Sequence, residues 1–470
     1  MPVINPVDIF LPPKEMKKDF GAEMVITNAY LTLRHFREKA IESKIHRLIG
    51  FDGSIMTDSG GYQILRYGDV EVSPEEIIKY QDGIAPDIAT ILDIPTGIHA
   101  TREQAEETVR VTLERARQST SLRSNPDVMW CGPVQGGLFT DLVATSAREM
   151  GKLDFQTHAI GSPVELLEDY RYSQLVDLVM AAKQNLPPDR PVHLFGAGHP
   201  MMFSLAVVMG CDLFDSAAYV LYARDGRYIT LEGTLRLEEL SWFPCECPVC
   251  VGTSPEELRE LPPGQQVELL SRHNLHVSFG ELRRIRQAIV EGRLWEHVQT
   301  VCRCHPRLLD GFRRLLSYSN FIERFDPVTK PSAFYYSGEE SVDRPEVVRH
   351  KKRMQRYEPP ALQTLAILSS FDGFPSELEN PEKTHLVRLV APFGVVPEEL
   401  DEIYPLWQSE IPKELDQLEV ETVARTLSEY LEKNSGHYQS IVLFNDPGKW
   451  GDALVKACQP VKGKLKVVES

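Results

Sequence analysis

One rhythm of apolar and polar positions recurs through the first half of the chain. A short apolar run ends in a polar or glycine-containing turn, and a stretch of helical period follows. The runs lie at 24–27, 54–57, 88–92, 129–134, 157–160, 192–195 and 213–214. Helical stretches between them include 74–83, 102–120, 141–152, 172–184 and 201–210. Such repeated strand–helix units predict a parallel sheet with helices packed outside it. With a first strand in 1–4, eight units are within reach, which predicts an α/β fold of the (β/α)8 TIM-barrel type. An open sheet fits less well, because no glycine fingerprint for a dinucleotide follows the first strand. The late Gly196-Ala197-Gly198 reads as a tight turn.

After the eighth run the rhythm breaks. Residues 241–275 read as a metal-binding insertion, 279–292 as a long amphipathic helix and 308–316 as a further one. The barrel domain is expected to span 1–340 and to end in the loop from Gly338 to Pro345. Residues 341–470 hold two more strand-like runs, 386–390 and 441–444, and a helical stretch, 420–433, which predict a small α/β domain.

The insertion carries Cys245, Cys247 and Cys250, and an imidazole, His273, follows 23 residues on. Three thiols on one tight turn plus a histidine match a closed, four-ligand structural zinc site. Pro244 and Pro248 stiffen the turn. Clustered thiols with prolines between them pack poorly as ordinary core. One structural Zn²⁺ per chain is therefore expected, and it points away from metal catalysis. Cys302-Arg303-Cys304-His305 lacks a fourth ligand and reads as ordinary helix.

Composition narrows the class. With 42% hydrophobic and 25% charged residues in 470, the chain has the make-up of a soluble globular protein. No apolar run is long enough to span a bilayer, and the first residues lack the layout of a signal peptide. Eight cysteines without a disulfide framework suggest a cytoplasmic protein with no membrane association. The net charge of −17 argues against nucleic acid as a partner when taken alone. A local run, Arg349 to Arg356, sets five strong bases in eight residues, and reads either as a solvated helix face or as a phosphate-binding patch.

The candidate chemistry sits where barrel active sites sit, at the C-terminal ends of the strands. Asp58, Asp93, Gln135, Gly161-Ser162 and Asp215 each follow a predicted strand. A lone strand-end Asp is most often a helix cap. Three of them with a Gln and repeated glycines favour a site for a flat ligand. Two carboxylates across a sugar can perform glycosyl transfer, one attacking the anomeric carbon and the other handling protons. The third carboxylate and the amide suit a purine edge. Tyr62 could stack on the base.

At these residues the chain resembles the tRNA-guanine transglycosylase family over 1–340. The motifs are Thr57-Asp58-Ser59-Gly60-Gly61-Tyr62-Gln63, Val134-Gln135-Gly136-Gly137, Asp212-Leu213-Phe214-Asp215 and the Cys245, Cys247, Cys250, His273 set. Leu92-Asp93-Ile94-Pro95-Thr96, the segment from His193 to Pro200, and Asp212 to Ala223 resemble the archaeal, archaeosine-pathway branch. So do Ala391 to Gly394 and Glu402 to Pro405 in the C-terminal region. The resemblance implies exchange of guanine at position 15 of the tRNA D-arm for 7-cyano-7-deazaguanine (preQ0) by double displacement. It implies Asp58 and Asp215 as the catalytic pair, in an order it does not fix, and Asp93 at the purine edge. Gln135, Gly161 and Ser162 would line the base pocket, Tyr62 would stack, and the Cys3His set would hold structural zinc. It further implies a homodimer, and an RNA-binding PUA domain that is expected to be absent here and supplied by a separate chain. The family's usual N-terminal β-hairpin is likewise expected to be missing. Gly61 and Gly137 stand where the archaeal branch has Ser.

Three other readings stand beside this one. A non-catalytic RNA-binding paralogue is disfavoured by the presence of all three aspartates. A metal-dependent hydrolase would need a His-x-His or His/Asp set at the strand ends, and none is present. A queuine-type transglycosylase differs only in the base taken up.

Overall fold

In the computed structural model of the 470-residue chain, residues 1–61, 72–369 and 380–469 are described. They divide into two compact units. The first is Met1–Ile289 with His297–Leu315, and the second is Val290–Glu296 with Leu316–Ser470.

The first unit is the expected barrel. Its parallel strands are β1 (Val3–Ile4), β2 (Met24–Asn28), β3 (Ser54–Asp58), β4 (Ile88–Thr90), β5 (Met129–Val134), β6 (Thr157–Ile160), β7 (Val192–Leu194) and β8 (Leu213–Phe214), paired in chain order. A parallel bridge between Pro2 and Ser216 returns the last strand to the first. Two bonds carry that closure: Val3 N–H donates to Ser216 O at 3.0 Å, and Ser216 N–H donates to Met1 O at 3.1 Å. The strands are short apolar runs because both faces are buried. Ile26, Met56, Ile88, Cys131 and Ala159 fill the interior. The outer faces pack on α1 (Ala29–Ile49, interrupted at Arg37 and Lys44), α2 (Pro74–Ile84), α3 (Arg102–Leu122), α4 (Thr140–Met150), α5 (Tyr172–Lys183), α6 (Phe203–Val208) and α7 (Ala218–Arg224). Sequence supplies the starts. Asn28 caps α1, Ser73 caps α2 with Pro74 behind it, and Thr101 with Gln104 forms a capping box on α3.

After α7 comes a hairpin, β9 (Arg227–Ile229) and β10 (Thr234–Arg236), which the sequence pattern did not reveal because β10 is wholly exposed. Beyond two short helices, Pro248–Gly252 and Pro255–Glu260, the long helix α8 runs from Pro263 to Val290. It begins 16 residues before the helical start expected at 279, and it carries His273, so the imidazole reaches the thiols from a helix. Apolar periodicity does not reveal this start, because Ser271, His273 and Asn274 are fully buried although polar, the last two on polar partners.

The second unit holds a five-stranded sheet in the order Gly394–Pro397, Thr384–Val390, Thr364–Leu368, Ser440–Asn445 and Leu465–Glu469. All neighbours are parallel except the first pair. Helix Gln417–Asn434 covers it through Val423, Leu427 and Leu431. The basic run lies in helix Pro345–Arg356. Arg349 bonds Glu323 at 2.9 Å, Lys352 bonds the same carboxylate at 2.8 Å, and Lys351 reaches the Val342 carbonyl at 3.1 Å. These cations are engaged by their own unit, an arrangement that neither reading of the run anticipated.

Candidate active site

The strand-end residues converge as their register dictates. Asn28 and Asp58 are partners at the ends of β2 and β3, and Asn28 Nδ2 donates to Asp58 Oδ2 at 2.9 Å. Val134 pairs with Ile160, so Gln135 and Gly161 follow side by side. Leu194 pairs with Phe214, which sets Asp215 beside the turn after β7. Asp58, Asp93, Gln135, Gly161, Ser162 and Asp215 all line one cavity of about 1190 Å³. That is slightly above the usual range for a small-molecule pocket, about 300–1,000 Å³. Tyr62 lies outside the described residues.

Asp93 and Gln135 form a buried pair. Gln135 Nε2 donates to Asp93 Oδ2 at 2.6 Å. Its carbonyl accepts from the Thr96 amide at 2.9 Å and from Ser162 Oγ at 3.1 Å. With the acceptor side committed, the amide cannot flip. Close glycine approach makes the arrangement possible: a Cβ at Gly161 would fall 2.2 Å from Gln135 Nε2, and one at Gly61 would fall 2.3 Å from Asp93 Oδ1. Burial pushes Asp93 up to about 6, against the opposing hydrogen bond from Gln135.

Asp58 and Asp215 diverge electrostatically. Burial, then the charges of Asp93 and Asp215, raise Asp58 to about 7, only partly offset by hydrogen bonds from Gly60 and Asn28. Burial acts on Asp215 in the same direction. There, however, hydrogen bonds from His193 and Gly196 outweigh it and hold the carboxyl below its ordinary value. His193 Nε2 and the Gly196 amide each lie 2.8 Å from Asp215 Oδ1. Two carboxylates driven apart in this way are suited to an acid and a nucleophile in one site.

Asn28, Thr96, His193 and Gly196 complete the site and were not singled out from sequence as site residues. Asn28 and His193 had a legible signal, since each is a polar residue in or ending a predicted strand. Thr96 and Gly196 act through backbone amides, which side-chain chemistry does not advertise.

The metal set also assembles. One ligand atom from each of Cys245, Cys247, Cys250 and His273 falls within 4.8 Å of all the others. The donors fit a soft divalent ion. His273 Nε2 lies 2.8 Å from the Ile229 carbonyl, which fixes its proton there and leaves Nδ1 free to face the sulfurs, 3.3 Å from Cys250 Sγ and 3.5 Å from Cys247 Sγ. The Tyr228 ring stacks on His273 at 3.6 Å, and its hydroxyl lies 3.2 Å from Cys250 Sγ. Cys302 and Cys304 belong to no metal-ligand cluster among the described residues.

Comparison with known proteins agrees with this geometry. The family model described as queuine tRNA-ribosyltransferase matches residues 1–307, and a domain of unknown function matches 347–462. The tRNA-guanine(15) transglycosylase of Methanococcus aeolicus is 46% identical over 422 residues, covering 88% of this chain and 65% of that protein. The protein of the same name from Methanocaldococcus jannaschii is 48% identical over 420 residues, covering 87% and 64%. That from Haloferax volcanii is 45% identical over 438 residues, covering 92% and 83%. The chain thus spans just under two thirds of the length of the first two relatives. No helix among the described residues is long and apolar enough to cross a membrane. Eight parallel strands closing on themselves, three aspartates at one mouth, a Cys3His cluster and a family match across the barrel make this chain a member of the queuine tRNA-ribosyltransferase family.

Proposed function

We propose that the chain is a tRNA-guanine transglycosylase that replaces guanine at position 15 with preQ0 by double displacement. The observation that carries the reading is the opposite tuning of Asp58 and Asp215 on one cavity that also holds the Asp93–Gln135 pair. The target nucleoside unstacks into the mouth, at a cost of a few kcal/mol offset by pocket contacts. Asp93 accepts from the purine's N–H edge, with Gln135 holding it in place. The Asp215 carboxylate attacks C1′ of the ribose. The bond to the purine breaks, and Asp58 supplies the proton that the departing guanine needs. Asp58, now ionised, takes a proton from the incoming base. That base attacks C1′ and releases Asp215, with the original stereochemistry restored. Tyr62 would stack on the base.

Cys245, Cys247, Cys250 and His273 would hold one zinc ion, which stabilises the fold around α8 and takes no part in the chemistry. Arg224, Arg227 and Arg236 line the same cavity and offer charge to RNA phosphates. We assign the enzyme to the cytoplasm, as a homodimer. The names of the relatives and the family match support the reading.

The test is incubation with unmodified tRNA and labelled guanine, then a chase with preQ0 or queuine and mapping of the modified position. Label entering at position 15 and leaving on addition of preQ0 is expected. Displacement by queuine alone would make this the queuine-type enzyme. No exchange of any base would refute catalysis and leave an RNA-binding paralogue.

A further inference from the structure

We propose that His193 is the positioning residue for the attacking carboxylate: its Nε2–H and the Gly196 amide together pin Oδ1 of Asp215 and leave Oδ2 as the oxygen that reaches the ribose. The inference rests on the transglycosylase reading and adds to it a residue and an atom.

His193 sits in β7 with no exposed side-chain surface, while Asp215 keeps 15% of its side chain open to the cavity. The ring is held edge-on by Phe195, with centroids 4.6 Å apart. Its Nδ1 is buried without a hydrogen-bond partner among the described residues. A proton on Nδ1 would be a buried donor with no acceptor, which is costly. With the proton on Nε2, Nε2–H donates to the carboxylate at 2.8 Å, and Nδ1 is left as an unpartnered acceptor rather than an unpartnered donor. The second donor comes from a turn built for close approach. Gly196 adopts φ +65°, in the left-handed region, and presents its amide to the same oxygen at 2.8 Å. At Gly198 a Cβ would fall 1.8 Å from Ser216 Oγ, so only glycine lets the turn after β7 lie against the turn after β8.

Both donors address Oδ1, and no hydrogen bond to Oδ2 occurs among the described residues. One oxygen is anchored and the other is free, which fixes the angle of attack at no further ordering cost. The titratable groups facing Asp215 are His193 from β7, Asp58 from β3 and the amino group of Met1 beside β8. Removing the His193 donor leaves only the Gly196 amide and the Met1 amino group to oppose the burial that favours the neutral acid.

The experiment uses the full chain and unmodified tRNA. It compares wild type with His193→Leu, His193→Met and His193→Gln, after thermal melts have shown which variants fold. The readouts are the rate of covalent enzyme–tRNA adduct formation, KM for guanine and the pH profile. The two non-donors are expected to form adduct about 100-fold more slowly, with little change in KM, and to shift the acid limb of the profile to higher pH. His193→Gln, which can still donate, is expected to recover most of the rate. Wild-type rates and an unmoved acid limb in a folded non-donor would overturn the proposal. So would His193→Gln behaving as the non-donors do, since the ring would then serve packing only. The nitrogen-15 spectrum of the wild-type histidines adds a check that needs neither variants nor activity. A neutral His193 protonated on Nε2 is expected, and an Nδ1–H tautomer would overturn the proposal directly. A wild-type chain that forms no adduct would instead refute the transglycosylase reading itself.

Discussion

Gln135 grips Asp93 through a 2.6 Å hydrogen bond from its Nε2, and is itself prevented from flipping by the Thr96 amide and Ser162 Oγ on its carbonyl. One Asp93 oxygen is therefore committed to Gln135, and the other borders Gly61. In Asp93→Asn the retained carbonyl must satisfy Gln135, which turns the new amide donor toward the purine's own donors. The expected outcome is an intact fold and a loss of guanine and preQ0 binding of about 1–3 kcal/mol, roughly 5- to 150-fold in affinity. Titration calorimetry of free bases measures it. Unchanged affinity for both would return Asp93 to the role of a strand-end cap.

Gly161→Ala probes the same pair from the opposite side. The added Cβ would lie 2.2 Å from Gln135 Nε2 and 2.7 Å from its Cδ, so the amide must move. Base affinity should fall while the rate of the chemical step at saturating base changes less, because Asp58 and Asp215 are not touched. A KM for guanine equal to that of wild type would show that the amide can yield without disturbing Asp93.

Much of this site was legible because barrels place function at strand ends. The apolar runs at 54–57, 129–134 and 157–160 located Asp58, Gln135 and Gly161, and the structure terminates β3, β5 and β6 at or within a residue of those limits. What stayed hidden depended on long-range partners. His193 lies within an apolar run, and only the pairing of β7 with β8 shows that it faces Asp215. The start of α8 was missed because buried polar residues lie in it, His273 donating to the Ile229 carbonyl and Asn274 accepting from the Ile229 amide at 2.9 Å. Helical periodicity read from hydrophobicity has no signal there. In the second unit's sheet the edge strands Gly394–Pro397 and Leu465–Glu469 were missed, and so was Thr364–Leu368, which lies between the two anticipated strands.

In the proposed mechanism Asp58 should give opposite pH responses in the two half-reactions. Asp58 is raised to about 7 by burial and by its acidic neighbours, so it is protonated below that pH and ionised above it. Adduct formation needs the proton and should decline as pH rises through about 7. Consumption of the adduct by preQ0 needs the base and should rise through the same range. Asp93, raised to about 6 by burial, must be ionised to accept from the purine, so base affinity should fall as pH drops below that value. Rapid-quench measurements of each half-reaction across pH separate these limbs. Limbs of the same sign in both half-reactions would remove Asp58 from proton transfer.

The metal prediction is one Zn²⁺ per chain. Cys247→Ser replaces a soft thiolate with a hard hydroxyl in a cluster whose ligands pack on Tyr228 and α8. Because binding energy at a structural site is folding energy, the variant should melt at a lower temperature and hold less metal, and not merely turn over more slowly. Elemental analysis with thermal melts, before and after chelation, tests this. A metal-free chain that melts at the wild-type temperature and remains active would sink the idea.

The order of the two aspartates is the sharpest test. Asp215 is held ionised by two donors on one oxygen, and Asp58 is raised toward neutrality at the same cavity. An ionised carboxylate with a free oxygen is the better nucleophile, and a carboxyl near 7 is the better proton carrier. Asp215→Asn replaces the attacking oxygen with an amide, which cannot form the ester, and should abolish the trapped adduct with tRNA. Asp58→Asn keeps the nucleophile and removes only the proton donor, so adduct should still form, more slowly and without the pH limb near 7. Denaturing gels of each variant after incubation with tRNA distinguish the two. Adduct that persists in Asp215→Asn and vanishes in Asp58→Asn would reverse the roles. Adduct of undiminished yield in both variants would mean that neither carboxylate attacks the ribose, and the nucleophile would have to be sought elsewhere along the cavity wall.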